Sequence, residues 1–228
     1  MSLSIFFVYF ALHNIGVVVF ESMRNWLDKK FEEYEIVDGV DLWSPAYIVE
    51  RDKFLTRQIG SPVSSVNRWK FYILRVERRL RYVSAKHQPF KKLAGEDLVT
   101  LHILRSTLNS LSESKISMLY TKTALISTTS SSILSSTLTV RTWIEALLQR
   151  GVIKELVDPA VTSDKRKKIL YASAARRVKF YKDCVVEMLN HINGVQILFG
   201  RDSNQFTKEV ELFSEYKILS EDEILLLL

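Results

Sequence analysis

The chain has 228 residues, of which 47% are hydrophobic and 25% are charged, so it can form one large domain with appendages around a real core. Only 7 Gly and 4 Pro argue against a turn-rich all-β fold and favour a mainly α one. The net charge of +6 favours an anionic partner, and the single Cys excludes an internal disulfide and a cysteine-based zinc site.

Positive charge is concentrated in the middle of the sequence. Residues 68–92 contain nine Lys or Arg against one acid, and residues 141–182 contain eleven against four. Acids dominate residues 21–52, nine against four bases, and residues 201–228, seven against three. Solvated helix faces are the commonest reason for such charge, but the clustering favours a localised positive surface.

Residues 3–20 are almost wholly apolar and reach the short limit of a transmembrane helix. No cation precedes them, whereas Arg24, Lys29 and Lys30 follow, so a membrane anchor would leave the bulk of the chain in the cytoplasm. Two other interpretations are a buried helix or strand, and a start-site artefact with Met23 as the true first residue. In each case we expect the folded part to be cytoplasmic.

The next strong signal is a long helix over residues 62–86. Its apolar residues recur at three- and four-residue intervals, and they are Val66, Trp69, Ile73, Val76, Leu80 and Val83. This 3.5-residue spacing is typical of packing against a second long helix, in this chain or in another subunit.

Two helices are predicted next, over residues 95–110 and from residue 112 or 114 to residue 123. His102 lies on the first, and no other His or Cys stands at ligand spacing to it, so we expect a structural histidine and no metal site. Nine of the eleven residues from 127 to 137 are Ser or Thr. They indicate either a flexible linker or hydroxyls that cap the following helix and contact phosphates.

That following helix is predicted from about residue 138 to residue 150, and Gly151 is its expected left-handed stop. Hydroxyls and one arginine lie at its start and on its outer side. Such side chains suit base edges and phosphates if the helix enters a DNA groove. The candidate DNA contacts are Ser136, Thr137, Thr139, Arg141 and Thr142. The alternative is an ordinary amphipathic helix that exposes one arginine.

A β-hairpin with a basic tip is predicted next. Residues 152–157 and 169–171 are rich in β-forming side chains, and Asp158 and Pro159 turn the chain. Four consecutive cations at the tip suit a narrow minor groove or its flanking phosphates. These further candidate DNA contacts are Lys165, Arg166, Lys167 and Lys168.

Residues 140–173 resemble the winged helix of the multiple-antibiotic-resistance-regulator (MarR) family, and with the flanking helices the resemblance covers residues 96–192. That family has Leu-x-x-x-Gly and two hydrophobic residues at the end of its recognition helix, as in residues 147–153 here. Its wing carries Asp-x-Arg before a hydrophobic strand, as in Asp164, Lys165 and Arg166. The resemblance implies that Arg166 reaches the minor groove, that Asp164 holds the wing or its arginine, and that terminal helices build a homodimer.

A second long helix is predicted over residues 174–193, and Asn193 and Gly194 are expected to end it. Its apolar spacing again suits helix pairing, through Val178, Tyr181, Val185, Met188 and Ile192. Cys184 borders this row, and we interpret it as a small buried hydrophobe rather than a redox sensor. A final helix is predicted over residues 205–216, followed by an apolar end that packs or mediates contact.

No sequence motif indicates an enzyme. The chain has no phosphate-binding P-loop, no dinucleotide-binding glycine motif and no nucleophile elbow, and its carboxylates cluster in helical runs. We expect no catalytic residue, no cofactor and no metal; a nuclease built from scattered acids is the enzymatic alternative.

The sequence therefore predicts a mainly α, winged helix-turn-helix protein that binds double-stranded DNA as a homodimeric transcriptional regulator. One alternative is a plasmid or viral replication or partition protein. Another is a protein-binding winged helix, or one tethered to a membrane through residues 3–20. The predicted segments are an apolar one at 1–22, a mixed extension at 23–60, the winged-helix and dimerisation domain at 61–193 and a helical tail at 194–228.

Overall fold

The computed structural model of the chain describes residues 25–27, 62–83, 94–113, 115–133, 135–157 and 168–228. The chain divides into two compact units. Residues 36–181 form one, here called the central unit, and residues 1–35 with 182–228 form the other, the terminal unit. The described part is mainly helical with a small antiparallel sheet, so the predicted mainly α class is confirmed.

The central unit alternates helices with short strands. Its described elements are α1 (Pro62–Val83), α2 (Ala94–Glu113), a 3₁₀ turn (Ile116–Met118), β1 (Tyr120–Thr121), α3 (Lys122–Ile133), α4 (Thr137–Gln149), β2 (Ile153–Val157), β3 (Lys168–Ala172) and the start of α5 (Ala174–Phe199). β3 is the middle strand of the sheet, antiparallel to both neighbours. Tyr120 lies opposite Leu170, and Ile153 lies opposite Ala172.

Helix α4 is defined at both ends by local signals. Ser136 caps its start, because the Ser136 hydroxyl accepts a hydrogen bond from the Thr139 N–H at 3.2 Å. At the other end Gly151 has φ 67°. The N–H of Gly151 donates to the Leu148 carbonyl, and that of Val152 donates to the Leu147 carbonyl. Both bonds satisfy carbonyls that the helix end would leave without partners, so the predicted glycine stop is confirmed.

The Ser/Thr-rich run is mostly helical, so the flexible linker, one of the two alternatives for it, was wrong, whereas the capping alternative is confirmed at Ser136. Most of it lies in α3, which ends only four residues before α4 begins. Ser131 and Ser132 donate their hydroxyl hydrogen bonds to the carbonyls four residues earlier. Leu125 and Thr129, one turn apart, are fully buried. Burial of this face stabilises the helix, and the back-bonded hydroxyls find partners within it.

The prediction of a helix ending at residue 123 was also wrong. The segment before α3 consists of the 3₁₀ turn and β1. Tyr120 and Thr121 are strand residues because they pair with Leu170 and Ile169, about fifty positions later in the chain. No local pattern of three and four could reveal this long-range pairing.

The core of the central unit is rich in aromatic rings. Tyr72 of α1 stacks on Tyr181 of α5 with ring centroids 4.2 Å apart, and Phe71, Phe180 and Trp69 make edge contacts around them. Rings in these offset and edge arrangements add to the stability that burial of their area provides. The buried face of α1 therefore differs from the predicted apolar row. It includes Val76 and Leu80, which were predicted, and also Phe71 and Tyr72, which were not.

The terminal unit contains the rest of α5, α6 (Asn204–Ser214) and α7 (Glu221–Leu227). The predicted stop at Asn193 and Gly194 was wrong: α5 continues to Phe199 and is followed by Gly200 with φ 88°. Helix α6 was predicted within two residues of its observed bounds. Helix α7 begins at a reciprocal capping box between Ser220 and Glu223.

The predicted helix-pairing row of α5 is covered within the chain. Val185, Met188 and Ile192 are each 0% exposed, and Cys184 is equally buried. These side chains therefore already have packing partners, and the apolar surface of the terminal unit lies elsewhere.

Candidate nucleic-acid interface

The start and outer face of α4 carry the hydroxyls and the arginine that the sequence indicated. Ser136, Thr137, Thr139, Arg141 and Thr142 are all exposed. The Ser136 and Thr139 hydroxyl oxygens are 2.7 Å apart, and the Thr142 hydroxyl donates to the Leu138 carbonyl at 3.1 Å. The structure therefore brings all five residues together along about one and a half turns of helix.

Arg141 differs from the neighbouring cations because its guanidinium makes no hydrogen bond or ion pair with any described residue. Between residues 122 and 150, over the positions that are described, the other two cations are both paired. Lys122 of α3 pairs with Glu145 of α4, and Arg150 pairs with Glu96 of α2. Glu145 and Glu96 are thus engaged by other cations, so neither of them offsets the charge of Arg141.

Leu138 was not predicted as a contact, yet its side chain is 72% exposed in the first turn of α4. A large apolar side chain at the start of a groove-binding helix suits the methyl group of thymine. Its only sequence signal was an apolar residue that did not fit the buried positions Val140, Ile144 and Leu147.

Helix α4 is held against the start of α2. Gly95 lies so close to Trp143 that a Cβ atom on it would stand 2.3 Å from two carbons of the indole ring. The ion pair between Arg150 and Glu96 joins the other end of α4 to the same turn of α2. Together these contacts fix the rotation of α4 about its axis and so determine which side chains point outward.

The hairpin is described only as far as its strands. Asp164, Lys165, Arg166 and Lys167, the predicted contacts of the tip, lie outside the described residues. Lys168 is exposed at the start of β3, where its ammonium pairs with the Glu155 carboxylate of β2 at 3.1 Å. Its charge is therefore partly offset by the adjacent strand.

Helices α1 and α2 and strand β1 are tied together by Arg105. The Arg105 guanidinium donates to the Glu77 carboxylate at 3.3 Å and to the Tyr120 hydroxyl at 3.0 Å. Burial alone would lower the pKa of Arg105, but the Tyr120 hydrogen bond and the Glu77 charge outweigh it and raise that pKa. The network places β1 next to α2 without contributing to the exposed face of α4.

His102, for which the sequence predicted a structural role, is buried in α2. Neither of its ring nitrogens has a hydrogen-bond partner among the described residues. Burial, and then the charge of Arg105, lower the pKa of His102 to about 4, so its imidazole is neutral near pH 7. Over the described ranges no three His, Cys, Asp or Glu side chains form a group that could hold a metal ion.

None of the described helices is both long enough and apolar enough to cross a membrane. Residues 3–20, for which an anchor was one interpretation, lie outside the described residues.

No protein-family model, no curated protein and no solved structure matches the chain.

Proposed function

We propose that the central unit is a winged helix-turn-helix domain that binds double-stranded DNA. The order of its elements supports this proposal: α2, β1, α3 and α4 are followed by the hairpin of β2 and β3, with β3 in the middle of the sheet. Helices α3 and α4 are joined by a connection of three residues, the usual length in a helix-turn-helix. In this assignment α4 is the recognition helix and the hairpin is the wing.

One observation carries the proposal from fold to function, and it is the uncompensated guanidinium of Arg141. A recognition helix reads base edges mainly through its first turns, and Arg141 lies in the second turn of α4 among exposed hydroxyls. Arginine pairs bidentately with guanine, while hydroxyls accept either base edges or phosphates. On the wing, Arg166 is proposed to enter the minor groove, with Asp164 holding it in place.

We propose a role like that of the MarR regulators, in which the protein controls transcription. The test is selection of bound duplexes from a random pool and from genomic fragments with the full chain. Enrichment of a defined site near promoters is the expected result. Enrichment of a repeat array near an origin would instead assign the chain to replication or partition, and no enrichment would contradict DNA recognition and favour a protein-binding role.

We also propose that the chain acts as a homodimer. Support comes from large apolar side chains at one end of the terminal unit: Ile197 and Leu198 at the end of α5 are 75% and 77% exposed, and Leu226 of α7 is 77% exposed. The Arg201 guanidinium donates to the Leu225 carbonyl at 3.4 Å, which brings the end of α7 beside the turn that follows α5. An apolar surface of this kind is typical of a subunit contact.

A further inference from the structure

Helix α1 has a strongly basic surface that the proposed recognition helix does not use. It carries six cations and one acid over its 22 residues. The cations are Arg68, Lys70, Arg75, Arg78, Arg79 and Arg81. The acid, Glu77, pairs with Arg105 of α2, so it is already engaged outside this set.

Three of these cations are exposed and have no hydrogen bond or ion pair within the part of the chain that the structure describes: Lys70, Arg78 and Arg81. At about 100° per residue they fall within roughly 80° of one another around the helix axis. Lys70 and Arg81 are separated by roughly 16 Å along the axis, because each residue rises about 1.5 Å. The three side chains therefore form one outward-facing row.

Two further guanidiniums of α1 are held on aromatic rings. Arg75 lies over Phe71 at 5.3 Å from the ring centroid, and Arg79 lies over Phe180 at 5.1 Å. A guanidinium stacked in this way is held in place by the ring beside it. Both are half-buried, so they extend the basic surface from the free row towards the core.

The arrangement is unfavourable in the absence of a partner. Arg78 and Arg81 are three residues apart, and like charges at this spacing repel one another across a helix turn. An anionic ligand that spans the row would relieve the repulsion.

Among anionic ligands, the backbone of a nucleic acid fits best. A membrane surface is disfavoured because the apolar face of α1, with Tyr72, Val76 and Leu80, is buried in the protein and cannot insert. A duplex carries about one phosphate per 1.7 Å of its axis when both strands are counted, so it offers several phosphates over the length of this row. An acidic peptide would need an extended run of carboxylates to do the same.

We propose that α1 is a second phosphate-binding surface of the central unit, which contacts the backbone of double-stranded DNA without regard to base sequence. The inference extends the proposed function, on which it rests for the identity of the ligand. The α1 surface adds affinity and salt dependence to DNA binding, whereas α4 supplies the sequence preference.

The test measures the affinity of the full chain for a short duplex of random sequence over a series of salt concentrations. In the triple variant K70Q/R78Q/R81Q, we expect the slope of log affinity against log salt to fall by about 0.9 for each lost phosphate contact. A matched variant, K115Q/K179Q/K208Q, removes the same charge from three exposed lysines elsewhere and should leave the slope unchanged. Thermal melting verifies that both variants are folded.

Arg141→Ala, measured beside them, separates this inference from the proposed function. An unchanged slope in the α1 variant, with weaker binding by Arg141→Ala, would overturn the inference and leave α4 as the DNA contact. A reduced slope in the α1 variant, with no effect of Arg141→Ala on any sequence, would support α1 and contradict α4. Tighter binding of the wild-type chain to polyglutamate than to DNA at equal ionic strength, or binding to neither, would overturn the assignment of α1 to nucleic acid.

Discussion

Gly95 of α2 lies directly against the indole ring of Trp143 on α4, with no room for a Cβ atom between them. In Gly95→Ala we therefore expect the ring to be pushed outward, with a net loss of about 1 kcal/mol of unfolding free energy. Chemical denaturation measures the loss, and tryptophan fluorescence reports the movement. Gly194→Ala is the control, since nothing lies within 4 Å of that position and alanine should be neutral or stabilising in a helix.

A double-mutant cycle shows whether the collision is the cause. With Trp143→Leu in place, Gly95→Ala should no longer destabilise the protein, because the indole carbons are absent. An equal loss in both backgrounds would contradict the proposed contact.

His102 should make the free energy of unfolding decrease as the pH falls. Its pKa is about 4 in the folded chain and near 6.5 in an unfolded one, so the unfolded state binds the proton first as the pH falls. The contribution is complete above about pH 6.5 and is lost progressively towards pH 4, up to about 3 kcal/mol in all. Denaturant unfolding at several pH values measures this loss.

The matched variants are histidine replacements at a buried and at an exposed position. His102→Gln should flatten the acid dependence between about pH 6.5 and pH 4, because the titrating group is gone. His191→Gln, a replacement at an exposed ring, is the control for the substitution itself. Equal slopes in all three proteins would show that other groups dominate.

Thr107 joins α2 to the sheet through its hydroxyl. The hydroxyl donates a hydrogen bond to the Ile103 carbonyl at 2.8 Å and accepts one from the Ala172 N–H at 2.9 Å, and both bonds are buried. Thr107→Val keeps the shape but leaves that N–H without its partner, so we expect a loss of about 1–3 kcal/mol in unfolding free energy. Thr100→Val is the control, since the buried Thr100 hydroxyl donates only to the Glu96 carbonyl one turn earlier. A similar loss in both would remove the special role of the Ala172 bond.

Arg141→Ala tests base reading by α4. On a selected site we expect a loss of about 1–3 kcal/mol in binding, with smaller losses on sites that lack the contacted guanine. Binding titrations at fixed salt on a small set of duplexes measure the difference. Lys208→Ala, an exposed cation of the terminal unit, should have little effect. A loss of the same size on every sequence would make Arg141 a phosphate contact.

The apolar end of the terminal unit predicts the oligomeric state. Ile197→Ser/Leu198→Ser should convert a dimer into a monomer, because the contact would lose two of its largest exposed side chains. Light scattering after size exclusion measures the mass. Leu138→Ser, equally exposed on α4, should leave the dimer intact. A wild-type chain that is monomeric at all concentrations tested would contradict the dimer.

The sequence predicted those elements whose signals are local. Helix α4 was found because Ser136 caps it, Val140, Ile144 and Leu147 follow its period, and Gly151 stops it. Strand β1 was missed because two residues become a strand only through pairing with β3. Gly194 was taken as a stop, yet α5 carries on past it at the modest cost of a glycine inside a helix.

The candidate site was predictable in its residues but not in its electrostatics. Exposure of Arg141 follows from the apolar face of its own helix. That Lys122 is engaged by Glu145, and Arg150 by Glu96, depends on partners 23 and 54 positions away. Only the folded chain shows that Arg141 is the cation left uncompensated on this face.

The composition of α3 disfavours a helix, since seven of its twelve residues are Ser or Thr. Each costs roughly 0.5 kcal/mol of intrinsic helix stability relative to alanine, so roughly 3 kcal/mol must come from packing around Leu125 and Thr129. Without that packing the segment would not remain helical. Its backbone amides should therefore exchange with solvent deuterium early, through local opening, so the proposed recognition helix follows a part of the fold whose stability comes from its neighbours.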